Sequence, residues 1–453
     1  MRQRLETALP ILLVATVSYL PVLGTWWFHD DWVFLADAAG IAPRGDSLVR
    51  VVSYQLYWSV FYPLFGLSTW AWGLTRLALH AGSALLVARL GGHGGLDRHA
   101  RILAGMLFAA APVAIESLYW GTGAIELLGV FLGLAALERW LAGSVPARWS
   151  ALALAALAVL SKEAGLLLVV VFAASLVREH RMRTALAPGV LALAALAAWA
   201  AWLVTRDFAT TTQYAVDIAH APRNLLVYGQ WLVTPVPLLR DSTLLAPAAL
   251  GGGAVVWGLW GLLAWRHLSR GDRCLAVCLG VTLLAVAPAT ILGDHAVPRY
   301  LYGPSAGLAL TVARIAFPGQ GPRRASLVLV AALLTVVAWS GTAYVREARV
   351  PSGRPTHRLA FKEAISRYSR AQIEAARIGP RDRVLILQSE QTDDLQFELL
   401  RATLMDDLAI RLLRGPGVSV TWAKEIRPAD TGAVTFTTSG ANLVHQGRLR
   451  QRE

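Results

Sequence analysis

The sequence predicts an all-α polytopic membrane protein, with about eleven transmembrane helices (1–345), followed by a small C-terminal soluble α/β domain (346–453). Three observations carry this reading. The 453-residue chain is 55% hydrophobic and only 16% charged, with a mean hydropathy of +0.49, which is too apolar for one water-soluble domain. Apolar runs near the length that a bilayer requires recur along the first three quarters. The basic residues behind the net charge of +13 fall in short clusters between those runs, where positive-inside topology puts them, and no nucleic-acid motif accompanies them.

The N-terminal MRQRLETALPILLVATVSYLPVLG has the basic start and apolar segment of a signal peptide. No small-residue cleavage site precedes Trp26, and Pro21 and Gly24 end the run, so it reads as an uncleaved first span at 7–24. Residues 25–50 form the first outer loop. Within it, 31–50 alternate too evenly for a span and carry Gly40, Pro43 and Gly45, which predicts an amphipathic surface helix and a turn. Further spans are expected at 68–89, 101–118, 122–140, 149–161, 164–178, 186–205, 246–265, 274–292, 303–317 and 325–344. Residues 206–245 are interrupted by Pro235 and Pro237 and read as an outer loop with a re-entrant or interfacial helix.

Counted this way, the N-terminus lies inside and the C-terminus outside. The arginine clusters at 89–101, 139–148, 178–183, 266–273 and 314–324 then all face the cytoplasm, while the outer loops are poor in basic residues. Cys274 and Cys278, four apart in an apolar helix, read as small membrane residues rather than a disulfide framework or a metal site. The tail beyond 346 is polar. It carries a strand in RVLILQSE, a helix around DDLQFELLRATLMDDLAIRLLRG stopped by Gly415 and Pro416, and strands in GVSVTW and GAVTFTT. With no nucleophile elbow, phosphate loop or metal spacing, it is expected to be accessory.

Chemistry is expected at the outer ends of the spans. FHDDW, residues 28–32, places Asp30 and Asp31 side by side with His29 and, counting Trp27 just before it, three aromatics. Adjacent carboxylates repel, and one pKa rises unless a cation, a metal or a basic substrate group compensates. A solvated loop with belt tryptophans would show the same residues. Glu116 and Glu126, Lys162 and Glu163, and the run Asp294, His295, Arg299 and Tyr300 fall at the same side, outlining an outward-facing polar cavity. Lys162 and Glu163 would equally suit a hairpin turn snorkelling to the interface. Glu116, Glu126 and His80 would equally suit hydrogen bonding between helices. Arg76, in the middle of the second span, requires a partner that the sequence does not name. Arg299 or Lys162 could hold a phosphate while an aspartate takes a proton from an acceptor hydroxyl. No spacing commits to a metal, although the carboxylate pair with a histidine is compatible with a divalent ion.

These residues carry a resemblance. An acidic pair in the first outer loop of a many-span chain resembles the GT-C superfamily of polyprenyl-phosphate-sugar-dependent glycosyltransferases. PVAIESLYWGTGAIELLGVFLGLAAL, then LAVLSKEAGLLL and PRYLYGPSAG, are similar in order and spacing to the membrane part of the transmembrane and tetratricopeptide-repeat-containing O-mannosyltransferases and their bacterial relatives. YPLFGLSTWAWGLTRLALH fits too, with Tyr62, Pro63, Leu64 and His80 in place. The resemblance covers about residues 10–345.

It implies inverting transfer of a monosaccharide from a polyprenyl-phosphate donor to a protein, lipid or glycan hydroxyl. The reaction would take place on the non-cytoplasmic face of a bacterial cytoplasmic membrane. Asp30 or Asp31 would be catalytic, as base or through a metal. Lys162, Arg299 and Tyr300 would bind the donor phosphate, and His29, His80, Glu116, Glu126, Glu163 and His295 would line the cavity. Two departures stand out: Tyr62-Pro63 lacks the arginine of the family's YRPL segment, and the tail replaces the tetratricopeptide repeats. A transporter or flippase for a lipid-linked or anionic substrate would instead place charges near the bilayer midplane and often shows internal repeats. Here the charges gather at one face without a repeat, which favours the enzyme.

Overall fold

A computed structural model describes residues 2–42, 50–162, 217–232, 247–269, 282, 286, 289–293, 296–317, 324–347 and 358–449. The first span is a helix, α1 (Arg2–Tyr19), closed by a 3-10 turn at Leu20–Val22. The first loop then leads into α2 (Asp31–Ala38). That helix ends as its sequence predicts: Gly40 takes φ 73°, and the Ile41 N–H reaches back to the Ala36 carbonyl at 2.8 Å, a Schellman closure that glycine permits. A π-helical turn at Val52–Leu56 runs directly into α3 (Tyr57–Phe65), a helical stretch that the sequence reading left unassigned.

At the position expected for the second span, 68–89, lies the helix α4 (Thr69–His93). The expected single span at 101–118 is instead two helices, α5 (Arg98–Ala109) and α6 (Ala114–Tyr119). Pro112 lacks an N–H and disfavours helical backbone at the residue before it, so the helix breaks there. A 3-10 turn at Gly121–Gly123 opens α7 (Ala124–Leu141), which pairs with α8 (Val145–Ser161). The expected spans at 164–178 and 186–205 lie outside the described residues, as does most of the one at 274–292. Between 206 and 245 the described part is a 3-10 turn, Ile218–His220, and α9 (Ala221–Trp231). The remaining helices before the C-terminal part are α10 (Pro247–Ser269), α11 (Pro304–Ala316) and α12 (Arg324–Glu347).

Among the described residues, two helices are by themselves long and apolar enough to cross a bilayer, Leu5–Val22 and Gly121–Leu141; shorter apolar helices occur at Val145–Ser161, Leu250–Leu263 and Leu329–Trp339. Large apolar side chains are nonetheless exposed along whole helix faces: Leu5, Leu9 and Leu13 on α1, Val255, Leu259 and Leu262 on α10, and Leu329, Leu333 and Val336 on α12. Outward apolar stripes of this kind mark contact with lipid or with a partner.

The C-terminal part opens with α13 (Arg358–Ala375), a helix that the sequence reading did not separate from the polar tail. A four-stranded sheet follows, in the order β2-β1-β3-β4: β1 (Arg383–Leu387) lies parallel to both β2 (Ser419–Ala423) and β3 (Val434–Ser439), and β4 (Asn442–Arg448) is antiparallel to β3. The strand β4 had no forecast. The single helix expected between β1 and β2 is two, α14 (Asp394–Leu404) and α15 (Leu408–Arg414). The break comes where Met405 and Asp406 take left-handed φ values of 50° and 56°.

The buried residues form two large clusters. One joins α1, α4, α5, α7 and α11. The other is continuous across the two parts of the chain, running from Trp26, Trp27, Trp32, Trp58 and Trp72 to Ile365, Ile373, Ile386 and Phe397. The first-loop tryptophans are therefore core residues of both parts at once.

Candidate active site at the first loop

The site is built from residues 24–31. Gly24 turns the chain at φ 75°, with the Trp70 ring packed over it. His29 adopts φ 55°, a left-handed conformation that is strained for a residue with a β-carbon. Its backbone N–H is held by the Thr403 carbonyl at 2.8 Å. This turn sends the two adjacent aspartates in different directions.

Asp31 is fully buried. Its Oδ1 accepts the backbone N–H and the hydroxyl of Thr122, both at 2.7 Å, and its Oδ2 accepts the Phe28 N–H at 3.3 Å. Burial pushes its carboxyl up to about 6, against the opposing pull of the Thr122 hydroxyl, the Arg76 charge and the two backbone N–H groups. Gly121 makes the approach possible, since a β-carbon there would meet Asp31 Oδ1 at 2.8 Å and Trp27 at 2.7 Å.

Asp30 has the opposite environment. Its side chain is 39% exposed, and its Oδ1 lies 2.7 Å from His29 Nδ1. Burial acts to raise its pKa, but the contact with His29, followed by the charges of His29, Arg299 and Lys362, outweighs that effect and holds the carboxyl below its ordinary value. Asp30 is thus the aspartate that is both ionised and open.

Beside it stand two buried ion pairs. Glu116, in the first turn of α6, accepts Arg299 Nη1 at 2.8 Å and the Arg299 backbone N–H at 3.0 Å. Glu126, in the first turn of α7, is paired with Lys162 at the C-terminal end of α8. Tyr300 lies between the cations, its ring 5.1 Å from Lys162 Nζ and 5.5 Å from the Arg299 guanidinium carbon. Trp120 connects this cluster to the loop. Its ring is 5.1 Å from the Arg299 guanidinium, stacks with Phe28 at 6.1 Å, and meets His29 edge-on at 6.2 Å.

The structure therefore brings together His29, Asp30, Asp31, Glu116, Glu126, Lys162, Arg299 and Tyr300. His80 does not line this cluster. It is fully buried among helices, with Nε2 donating to the Ala109 carbonyl at 3.0 Å and Nδ1 accepting from the Tyr302 hydroxyl at 3.0 Å. Interhelical bonding, the other role open to it from sequence, is the one it has. Glu163 and His295 lie outside the described residues. Among the described residues no three His, Cys, Asp or Glu side chains converge as a metal set. Asp31 spends its oxygens on Thr122 and Phe28, so that among the described residues His29 and Asp30 are the remaining donors of the loop.

Sequence reasoning missed Trp120 and Thr122, although both lie within the ESLYWGTG turn that it singled out. It also left Arg76 without a partner. That side chain is buried, donates from Nε to the Leu118 carbonyl at 3.2 Å, and is among the charges acting on Asp31. The contacts from residues 363–403 had no local signal, because they depend on chain segments more than 330 residues apart.

No protein-family model and no curated protein matches the chain. Solved structures of the oligosaccharyltransferase of the archaeon Archaeoglobus fulgidus are similar to it. The complex with an inhibitory peptide and a dolichol-phosphate shares 14% identity over 91% of this chain and 64% of that one, with a TM-score of 0.47. The complex with Zn and sulfate shares 13% identity over 91% and 62%, with a TM-score of 0.48. The apo form shares 12% identity over 91% and 64%, with a TM-score of 0.45. The chain spans less than two thirds of the length of these structures.

Proposed function

We propose that the chain is a multi-pass membrane glycosyltransferase of the GT-C type, with about eleven crossings and its C-terminal domain on the non-cytoplasmic side. It moves a monosaccharide from a polyprenyl-phosphate donor to an acceptor hydroxyl on protein, lipid or glycan, with inversion. The observation that carries this reading is the contrast within the aspartate pair: one carboxylate is locked into the scaffold, and its neighbour is open, ionised and next to a cationic, aromatic cluster.

In this reading Asp30 is the base. It accepts the proton of the acceptor hydroxyl as that oxygen bonds to the anomeric carbon, and the donor phosphate departs with the electrons of the broken bond. The phosphate is stable as an anion, so the step does not require a general acid. His29 orients Asp30, while Arg299, Lys162 and Tyr300 receive the phosphate and Trp120 forms the wall between donor and base. Glu116 and Glu126 neutralise the two cations, and so keep buried charge tolerable before the donor arrives. Asp31 is a positioning residue rather than the base. No step is routed through a metal. The membrane assignment is supported by composition, by the arginine asymmetry and by the outward apolar stripes on α1, α10 and α12.

The test is transfer of a radiolabelled sugar from a panel of polyprenyl-phosphate donors by purified protein in lipid. Wild type is expected to consume at least one donor and Asp30→Asn none. A wild type that turns over no donor, but carries a lipid-linked substrate across the bilayer, would replace the enzyme with a transporter.

A further inference from the structure

The residues that fix the backbone of the Asp30 loop come from the far end of the chain. The Trp26 N–H donates to Glu363 Oε1 at 3.0 Å, the Ser366 hydroxyl donates to the Trp27 carbonyl at 2.6 Å, and the His29 N–H donates to the Thr403 carbonyl at 2.8 Å. Glu363, Ser366 and Thr403 are each at most 1% exposed. The Arg370 guanidinium lies 3.8 Å from the Trp26 ring on the same helix face, and Arg367 donates to Glu363 Oε1 from Nε at 3.0 Å. Buried backbone groups require partners, and three between 26 and 29 find theirs on α13 and α14. At the last of these positions the bond supports a left-handed histidine. Strained backbone persists where its surroundings over-determine it.

We infer that the C-terminal domain is part of the catalytic apparatus, with Glu363 and Ser366 of α13 acting as positioning residues that set His29 and Asp30. The inference rests on the transferase reading for its kinetic consequence and on geometry alone for its structural one. Releasing Trp26 and Trp27 lets the His29 turn relax and swings the Asp30 carboxylate away from the acceptor. Binding of the donor by Arg299, Lys162 and Tyr300 is left unchanged.

The experiment compares full-length wild type with Glu363→Leu, Glu363→Gln and Ser366→Ala in lipid, by hydrogen exchange of the segment 25–30 and by kcat and KM for a polyprenyl-phosphate sugar. Glu363→Leu removes the acceptor of the Trp26 N–H. It is expected to speed exchange there about tenfold and to lower kcat about ten- to hundredfold, with donor KM within about twofold. Glu363→Gln keeps an acceptor oxygen and should stay close to wild type in both. Ser366→Ala, the mildest change, should shift both in the direction of Glu363→Leu. Unchanged exchange and kcat in folded Glu363→Leu and Ser366→Ala would overturn the inference, as would equal damage from Leu and Gln at 363. If wild type turns over no donor, the transferase reading fails, while the exchange measurements still decide whether α13 holds the loop.

Discussion

Replacing Asp30 by Asn removes the open carboxylate and leaves the scaffold in place, so transfer should fall by about a hundred- to ten-thousandfold while the protein stays folded, with a small loss of thermal stability at neutral pH from the missing ionised contact with His29. Asp31→Asn should cost transfer less than about tenfold, because the amide oxygen can still accept both Thr122 bonds, while the Phe28 N–H contact and the charge that acts on Arg76 are lost. Equal losses in the two variants would refute the assignment of roles. The two carboxyls also act on stability in opposite pH windows. Asp31 is raised to about 6 from 3.8, so the folded state binds the extra proton between those values, and stability should rise as pH is lowered from 7 to 5. Asp30 is lowered, so its contribution is complete at neutral pH and is lost only as pH falls below 3.8. Melting temperatures between pH 7 and 5 should therefore increase in wild type and stay level in Asp31→Asn. The sequence made the pair conspicuous but not its division of labour, because that division depends on the φ of His29 and on Thr122, which is 91 residues away.

Helices α6, α7 and α8 meet the site through their ends, and the ion pairs between those ends hold charge that the interior could not otherwise accept. Glu126→Gln removes the carboxylate that neutralises the buried Lys162 ammonium and should destabilise the protein by about 3–5 kcal/mol; the double replacement Glu126→Leu with Lys162→Leu should recover most of the loss. Thermal unfolding of the three variants in lipid measures both, and a double variant as unstable as Glu126→Gln would contradict this account. At this scale the sequence was informative about where polar groups gather, since ionisable residues at span ends are few and clustered. It was less informative about breaks. A hydrophobic run looks continuous across Pro112, and the left-handed pair Met405-Asp406 has no glycine to announce it.

Across the whole molecule, the topology predicts that a reporter enzyme active only outside the cytoplasm will be active when fused after residue 449 and inactive when fused within 89–101. The reverse pattern would invert the proposed orientation. Composition marks an apolar stretch followed by a polar tail, but the joint between them was not legible, because hydropathy does not show that Trp26, Trp27 and Trp32 share a core with Ile365, Ile386 and Phe397. That shared core has a consequence for how the molecule is made. Trp26 is synthesised 337 residues before Glu363, an interval of about 20 to 70 s at ordinary rates of synthesis. Throughout that time the tryptophan-rich loop lacks the C-terminal half of its core. The Asp30 loop is then made long before the segment that fixes its shape, so under the proposed transferase reading a chain truncated before α13 would carry Asp30 and still be inactive.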